Sequence, residues 1–253
     1  MDTVLWHIGI SHYNEKARWA LDYKGIPYEL RAPVPGLHRA QALRLTRGRH
    51  DRLPVLRLEG RSIGDSTAII AALEEYRPAP ALYPAGAGER ASALEIEERY
   101  DEELGPLIRR FMWHHTLGDT DATLRAVAPG ASGTRERVLR AVTPLASRAV
   151  RRDFDIDDTT ASAALDGIRT AMDRLEAELD GREYLVGDSF SVADLTAAAL
   201  FTPLVAPPER PFAPKQMAPA LMDARAELEA RPGGRWVFEM YARHRGAPVA
   251  AST

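Results

Sequence analysis

Residues 3–8 (TVLWHI) are short and β-prone, and from 13 to 24 apolar positions recur at helical spacing, with Ala17, Ala20 and Leu21 on one face. Gly25-Ile26-Pro27 ends that helix, and residues 28–32 read as a second strand. The polar, Arg-rich stretch 36–52 reads as loop or short helix. Residues 53–58 and 61–63 alternate around Glu59-Gly60 as a hairpin, and Gly64-Asp65-Ser66 leads into a helix over 67–76. Residues 1–78 are therefore predicted as one βαβ unit followed by ββα.

The pattern changes after a linker, 79–88, punctuated by Pro80, Pro84 and Gly86. Every strong periodic signal beyond it is helical, over 89–115, 135–152, 159–179, 191–204 and 219–231. Leu165, Ile168, Met172, Leu175 and Leu179 alternate spacings of three and four, which marks a core-facing stripe. Residues 89–245 are thus read as an all-α domain, with breaks at 118–134 and 206–218. The tail 246–253 has no apolar pattern with which to pack and reads as disordered.

Composition narrows the chemistry. The 253 residues are 45% hydrophobic and 27% charged, with 33 Lys plus Arg against 36 Asp plus Glu. A net charge of −3 gives no basic field for nucleic acid or an anionic membrane surface. No apolar run approaches the roughly 18 residues of a membrane span, and the start lacks a signal-peptide pattern, so a cytoplasmic location is expected. There is no cysteine, which removes disulfides and thiolate nucleophiles, and the seven histidines form no ligand spacing, so no metal is expected. Only Lys16, Lys24 and Lys215 are lysines and alanine is abundant, which points to a GC-rich, bacterial source.

Three places carry candidate chemistry. Ser11 precedes a helix that directly follows a strand, where free N–H groups and a partial positive charge stabilise an anion; it serves equally as an ordinary N-cap. Pro54 opens a strand after a loop, and Asp65-Ser66 precede a helix whose first N–H groups need an acceptor. Ser191-Val192-Ala193-Asp194 has the form of a capping box, with Phe190 and Leu195 as its hydrophobic staple.

The order of elements, with SHYNEKARWAL (11–21), LPVL (53–56), GDSTAI (64–69) and LVGDSFSVADL (185–195), resembles the glutathione S-transferase family over nearly the whole chain. The resemblance implies a thioredoxin-like N-terminal domain that binds a tripeptide thiol and an all-helical C-terminal domain that supplies the electrophile pocket. Ser11 matches the position of the active Ser of theta- and zeta-like members and of the active Cys of omega-like ones. Serine there implies activation of a borrowed thiol and argues against thiol–disulfide exchange. Tyr13 is the rival hydroxyl, and Asn14 a supporting donor.

By the same resemblance the backbone of Leu53, before a cis Pro54, pairs with the cysteinyl unit of glutathione. Asp65 and Ser66 hold its γ-glutamyl end, with Asp in place of the more frequent Glu. Arg52 is the first choice for the glycine carboxylate, ahead of His38, Arg39 and His50. Phe111, Trp113 and His114 are candidates for the substrate pocket. The implied activity joins glutathione, or another low-molecular-weight thiol, to a small hydrophobic electrophile, as in detoxification, in a cytoplasmic homodimer. A thiol-dependent isomerase or lyase, and a catalytically silent binding module, are the alternatives.

Overall fold

The computed structural model describes residues 2–34, 36–212, 217–246 and 250–251. β1 (Val4–Trp6), α1 (His12–Tyr23) and β2 (Tyr28–Arg31) form the predicted βαβ unit. α2 (His38–Leu45), β3 (Val55–Leu58), β4 (Arg61–Gly64) and α3 (Ser66–Tyr76) complete the first half. β1 pairs parallel with β2 and antiparallel with β3, and β3 pairs antiparallel with β4.

Strand alternation decides which helices cover which face. Leu5, Leu56 and Leu58 point to the main core with α1 and α3, whereas Val4, Trp6 and Val55 pack on Ala42 of α2. Within the tail expected to be disordered, Ala250–Ala251 form β5, parallel to β2 at the edge of the order β4-β3-β1-β2-β5. Edge backbone groups of β2 supply the pairing that a sequence pattern of two alanines does not announce. The rest of that expectation, apart from Gly246, lies outside the described residues.

The second half is helical: α4 (Ala87–Arg99), a π-helical turn (Tyr100–Leu104), α5 (Gly105–Thr116), α6 (Thr120–Val127), α7 (Gly133–Asp153), α8 (Asp158–Leu179), α9 (Val192–Phe201), α10 (Pro219–Glu229) and α11 (Pro232–His244). Every residue of α9 is buried, and it packs against α1, α4 and α11. Its predicted capping box is present: the Asp194 carboxylate accepts from the N–H groups of Ser191 and Leu185 at 2.9 and 2.8 Å.

Two helices escape the sequence pattern. α6 buries little beyond Thr123 and Leu124, and α11 starts at Pro232-Gly233-Gly234, which reads as a breaker. Gly234 is needed there because a Cβ would lie 2.1 Å from the Leu228 carbonyl oxygen.

Buried charge joins the halves. Lys16 is fully buried against Glu97 (2.8 Å) and Asp101 of the π turn, and donates to Thr67 at 3.0 Å. Arg245, also fully buried, donates to Glu15 at 2.8 Å and Asp22 at 2.7 Å. Burial alone would raise the Glu15 carboxyl, but Arg18, Arg245 and Arg210 overcome it and hold the group below the usual range.

Candidate functional site

Ser11 lies between β1 and α1 with extended backbone angles, as the N-cap of α1. Its Oγ accepts from the Asn14 N–H at 3.5 Å, the limit of a hydrogen bond, and makes no other among the described residues. The cap is weak and the hydroxyl proton is uncommitted. The preceding carbonyls are held inward: Arg18 donates to Gly9 at 3.0 Å and Arg210 to Ile10 at 2.7 Å. Arg18 also donates to Nδ1 of His7 at 2.8 Å, and burial followed by the Arg18 charge lowers His7 to about 3, so it stays neutral. Phe212 covers Gly9 and sits under the Arg18 guanidinium at 4.8 Å.

Asn14 is fully buried and braces two loops. Its Oδ1 accepts from Ile8 at 3.0 Å and its Nδ2 donates to the Leu53 carbonyl at 3.3 Å, which ties the Ser11 turn to the cis Leu53–Pro54 peptide. The Leu53 N–H has no partner among the described residues. Asp65 adopts φ 77° and caps α3, accepting from Thr67 and Ala68 at 2.9 and 3.1 Å through one oxygen. The N–H and hydroxyl of buried Ser66 remain free of partners among the described residues. Leu53, held through its carbonyl by Asn14, and Ser66, next to the Asp65 carboxylate, therefore present free donors.

Tyr13 is turned elsewhere. Its hydroxyl donates to the Asp101 carbonyl at 2.6 Å, and burial pushes its phenol well above the ordinary value. Gly105 makes this contact possible, since a Cβ there would stand 2.0 Å from the Tyr13 hydroxyl. Tyr13 thus fastens α1 to the π turn. Next to it His12 is buried, with Nε2 unpartnered, and burial, then Arg109 and Arg210, lower it to about 3.

The three candidates on α5, Phe111, Trp113 and His114, point in different directions. Phe111 is in the core at 3% exposure because it shares a helix face with Leu104 and Ile108. His114 faces Asp158, at 3.5 Å, and Trp113 shares a helix face with Arg109. A cleft of about 220 Å³ beside α5 is lined by Arg52, Arg109, Arg110, Asp153, Phe154 and Asp155. Arg52 is half exposed, 3.9 Å from Asp153 and 5.2 Å from the Phe154 ring centre.

Arg210 and Arg109 escaped the sequence reading. Arg210 lies in a Pro-rich loop without period; Arg109 is legible only as a cation on the α5 face opposite Ile108 and Phe111. No cluster of His, Asp and Glu capable of holding a metal occurs among the described residues, and none of their helices is long and apolar enough to cross a membrane.

The β1–α1–β2 unit, the β3–β4 hairpin opened by a cis-proline and the capped α3 make a thioredoxin-like domain, joined to a helical one. Residues 5–81 match the family described as glutathione S-transferase, N-terminal domain, and residues 139–232 match glutathione S-transferase, C-terminal domain. The chain belongs to the glutathione S-transferase family.

A curated relative, the glutathione S-transferase-like protein LUC7 of Fusarium sp., is 49% identical over 43 residues, which is 17% of this chain and a fifth (20%) of the relative's own length. Among solved structures, the beta-etherase LigF of Sphingobium sp. strain SYK-6 superposes with TM-score 0.63 at 22% identity, covering 94% of this chain and 99% of that one. The theta class glutathione S-transferase of Xanthomonas axonopodis pv. citri, solved with glutathione bound, gives TM-score 0.54 at 19% identity, covering 92% of this chain and 95% of that one.

Proposed function

We propose that the protein is a glutathione transferase in which Ser11 holds the thiol of glutathione as a thiolate for attack on an electrophilic carbon. The observation that carries this reading is the Ser11 hydroxyl, uncommitted at a helix N-terminus, with the carbonyls before it drawn inward by Arg18 and Arg210. Lowering a thiol pKa by about two units takes roughly 2.7 kcal/mol. One hydroxyl bond to an anion is worth about 1.5–3 kcal/mol and the helix N-terminus about 0.5–1 kcal/mol, which together cover it.

The thiol proton leaves to solvent on binding, so no general base is required. In a substitution the sulfur lone pair forms the new C–S bond as the leaving group departs with its own pair. Leu53 N–H suits the cysteinyl carbonyl, Ser66 the γ-glutamyl carboxylate, the second oxygen of Asp65 its amine, and Arg52 the glycine carboxylate. The reading extends to a cytoplasmic homodimer built across α3 and α4, which sedimentation tests.

Ser11→Ala is the direct test of the activity. Turnover of 1-chloro-2,4-dinitrobenzene falls at least a hundredfold while retention on immobilised glutathione persists. Unchanged turnover contradicts the assignment.

A further inference from the structure

Arg109 is a partly buried cation without an anion. Its guanidinium stacks 4.3 Å from the centre of the Phe154 ring, and it has neither a carboxylate partner nor a hydrogen bond among the described residues. Stacking fixes the plane of the guanidinium but leaves its in-plane N–H groups unsatisfied. Burial is the main cause that lowers its pKa; Arg52 and Arg110 act in the same sense, against Tyr13 and Asp153.

Of the other charges that line the cleft, Asp155 is exposed on its rim, and Asp153, Arg52 and Arg110 have partners. Asp153 lies 3.2 Å from Arg39 and 3.9 Å from Arg52, and Arg110 donates to the Phe154 carbonyl at 3.3 Å. Among the lining cations described, Arg109 is the one with neither a hydrogen bond nor a carboxylate within ion-pair distance. The Tyr13 hydroxyl stands against Gly105, one turn before Arg109 on α5, which puts the cleft beside the turn that follows Ser11.

The geometry points to an electrophile that carries a carboxylate, bound bidentately by Arg109 while its reactive carbon faces the thiolate at Ser11. This rests on the reading of Ser11 given above. A planar fork with two free parallel donors fits a carboxylate better than any neutral group, and charge-assisted bonds of this type discriminate by about tenfold or more. The acid groups of glutathione have Ser66 and Arg52 for partners, whereas Arg109 stands on the wall contributed by α5. Arg109 is thus a determinant of specificity within a cleft that is not purely apolar.

The test separates binding from turnover. Titration calorimetry compares the thioether of glutathione with 4-chloro-3,5-dinitrobenzoate and the methyl ester of that thioether. The wild-type protein binds the acid about tenfold more tightly than the ester. Arg109→Gln binds both as the wild type binds the ester, Arg109→Lys keeps part of the preference, and neither changes affinity for glutathione itself. In turnover, Arg109→Gln raises KM for the chlorodinitrobenzoate about tenfold and leaves KM for glutathione unchanged.

Equal wild-type affinity for acid and ester, or binding of neither, overturns the inference. So does an Arg109→Gln variant that loses glutathione as strongly as the acid thioether, because the cation then serves the thiol's own carboxylate. Circular dichroism shows that both variants are folded. The Ser11 reading stands or falls separately, on the turnover of Ser11→Ala with the neutral 1-chloro-2,4-dinitrobenzene.

Discussion

Arg210 Nη2 lies 2.7 Å from the carbonyl oxygen of Ile10, across 200 residues of sequence. The guanidinium is 3% exposed and also donates to the Thr202 carbonyl at 2.8 Å, so a loop of the helical half sets the orientation of the peptide immediately before Ser11. With the carbonyl ends of Gly9 and Ile10 drawn inward, and the Ser11 N–H taken by the Ile8 carbonyl at 3.1 Å, the N–H groups of His12 and Tyr13 are left for an anion.

Arg210→Met removes this anchor and leaves the Ile10 carbonyl unpaired. The rate of conjugation is expected to fall about tenfold or more, and the pH midpoint of kcat/KM for glutathione to move upward, because the turn holds the thiolate less well. A pH–rate profile checks this. A reduced rate with an unmoved midpoint would mean that Arg210 is structural only.

Tyr13→Phe separates the two hydroxyls. The Tyr13 hydroxyl is spent on Asp101, so activity stays within about twofold of wild type, whereas unfolding in urea shows a loss of about 1 kcal/mol from the missing bond. A loss of activity as deep as that of Ser11→Ala would transfer thiol activation to Tyr13.

Acid sensitivity follows from two buried histidines. His7 and His12 are held at about 3 by burial first, with Arg18 the next cause for His7 and Arg109 for His12. The unfolded chain, with its ordinary histidines near 6.5, binds these protons first as the pH falls, so stability drops from 6.5 downward. At pH 5 each costs about 2 kcal/mol. Asp194, lifted to about 6 by burial, works in the opposite sense and returns about 1 kcal/mol over the same interval. Urea midpoints at pH 7.5 and 5 should therefore show a net loss of about 2–3 kcal/mol, and His12→Gln should reduce it. Equal midpoints would contradict the buried neutral state.

Asp194→Ala removes the acceptor of two buried N–H groups, those of Leu185 and Ser191. Each such loss costs about 1–3 kcal/mol, and the helix it starts is the fully buried α9, so a fall of about 2–4 kcal/mol in unfolding free energy is expected. Chemical denaturation measures it, and a loss below about 1 kcal/mol would show the capping box to be dispensable.

The elements that could be read along the chain are those whose signal is local. β1, α1, the β3–β4 hairpin and the Ser191–Asp194 cap depend on neighbours a few residues away, and the structure has them where their patterns indicate. α11 is hidden because Gly233 and Gly234 are selected by contact: a Cβ at Gly233 would stand 2.4 Å from Met172 Sδ. The same division holds at the site. Ser11 and Ser66 stand at helix starts that the pattern shows, and Leu53 is marked by the family motif, whereas the Arg210–Ile10 contact spans 200 residues and the Arg109–Phe154 contact spans two helices of the second half. Lys16 and Lys24, two of three lysines, are buried in ion pairs, which composition alone does not indicate.

The central claim is that Ser11 stabilises a bound thiolate, and the ultraviolet absorbance of that thiolate measures it directly. Titrated on the protein, the glutathione sulfur should ionise about two pH units below an ordinary thiol near 8.5, and return to about that value in Ser11→Ala. The same midpoint in wild type and variant would contradict the account.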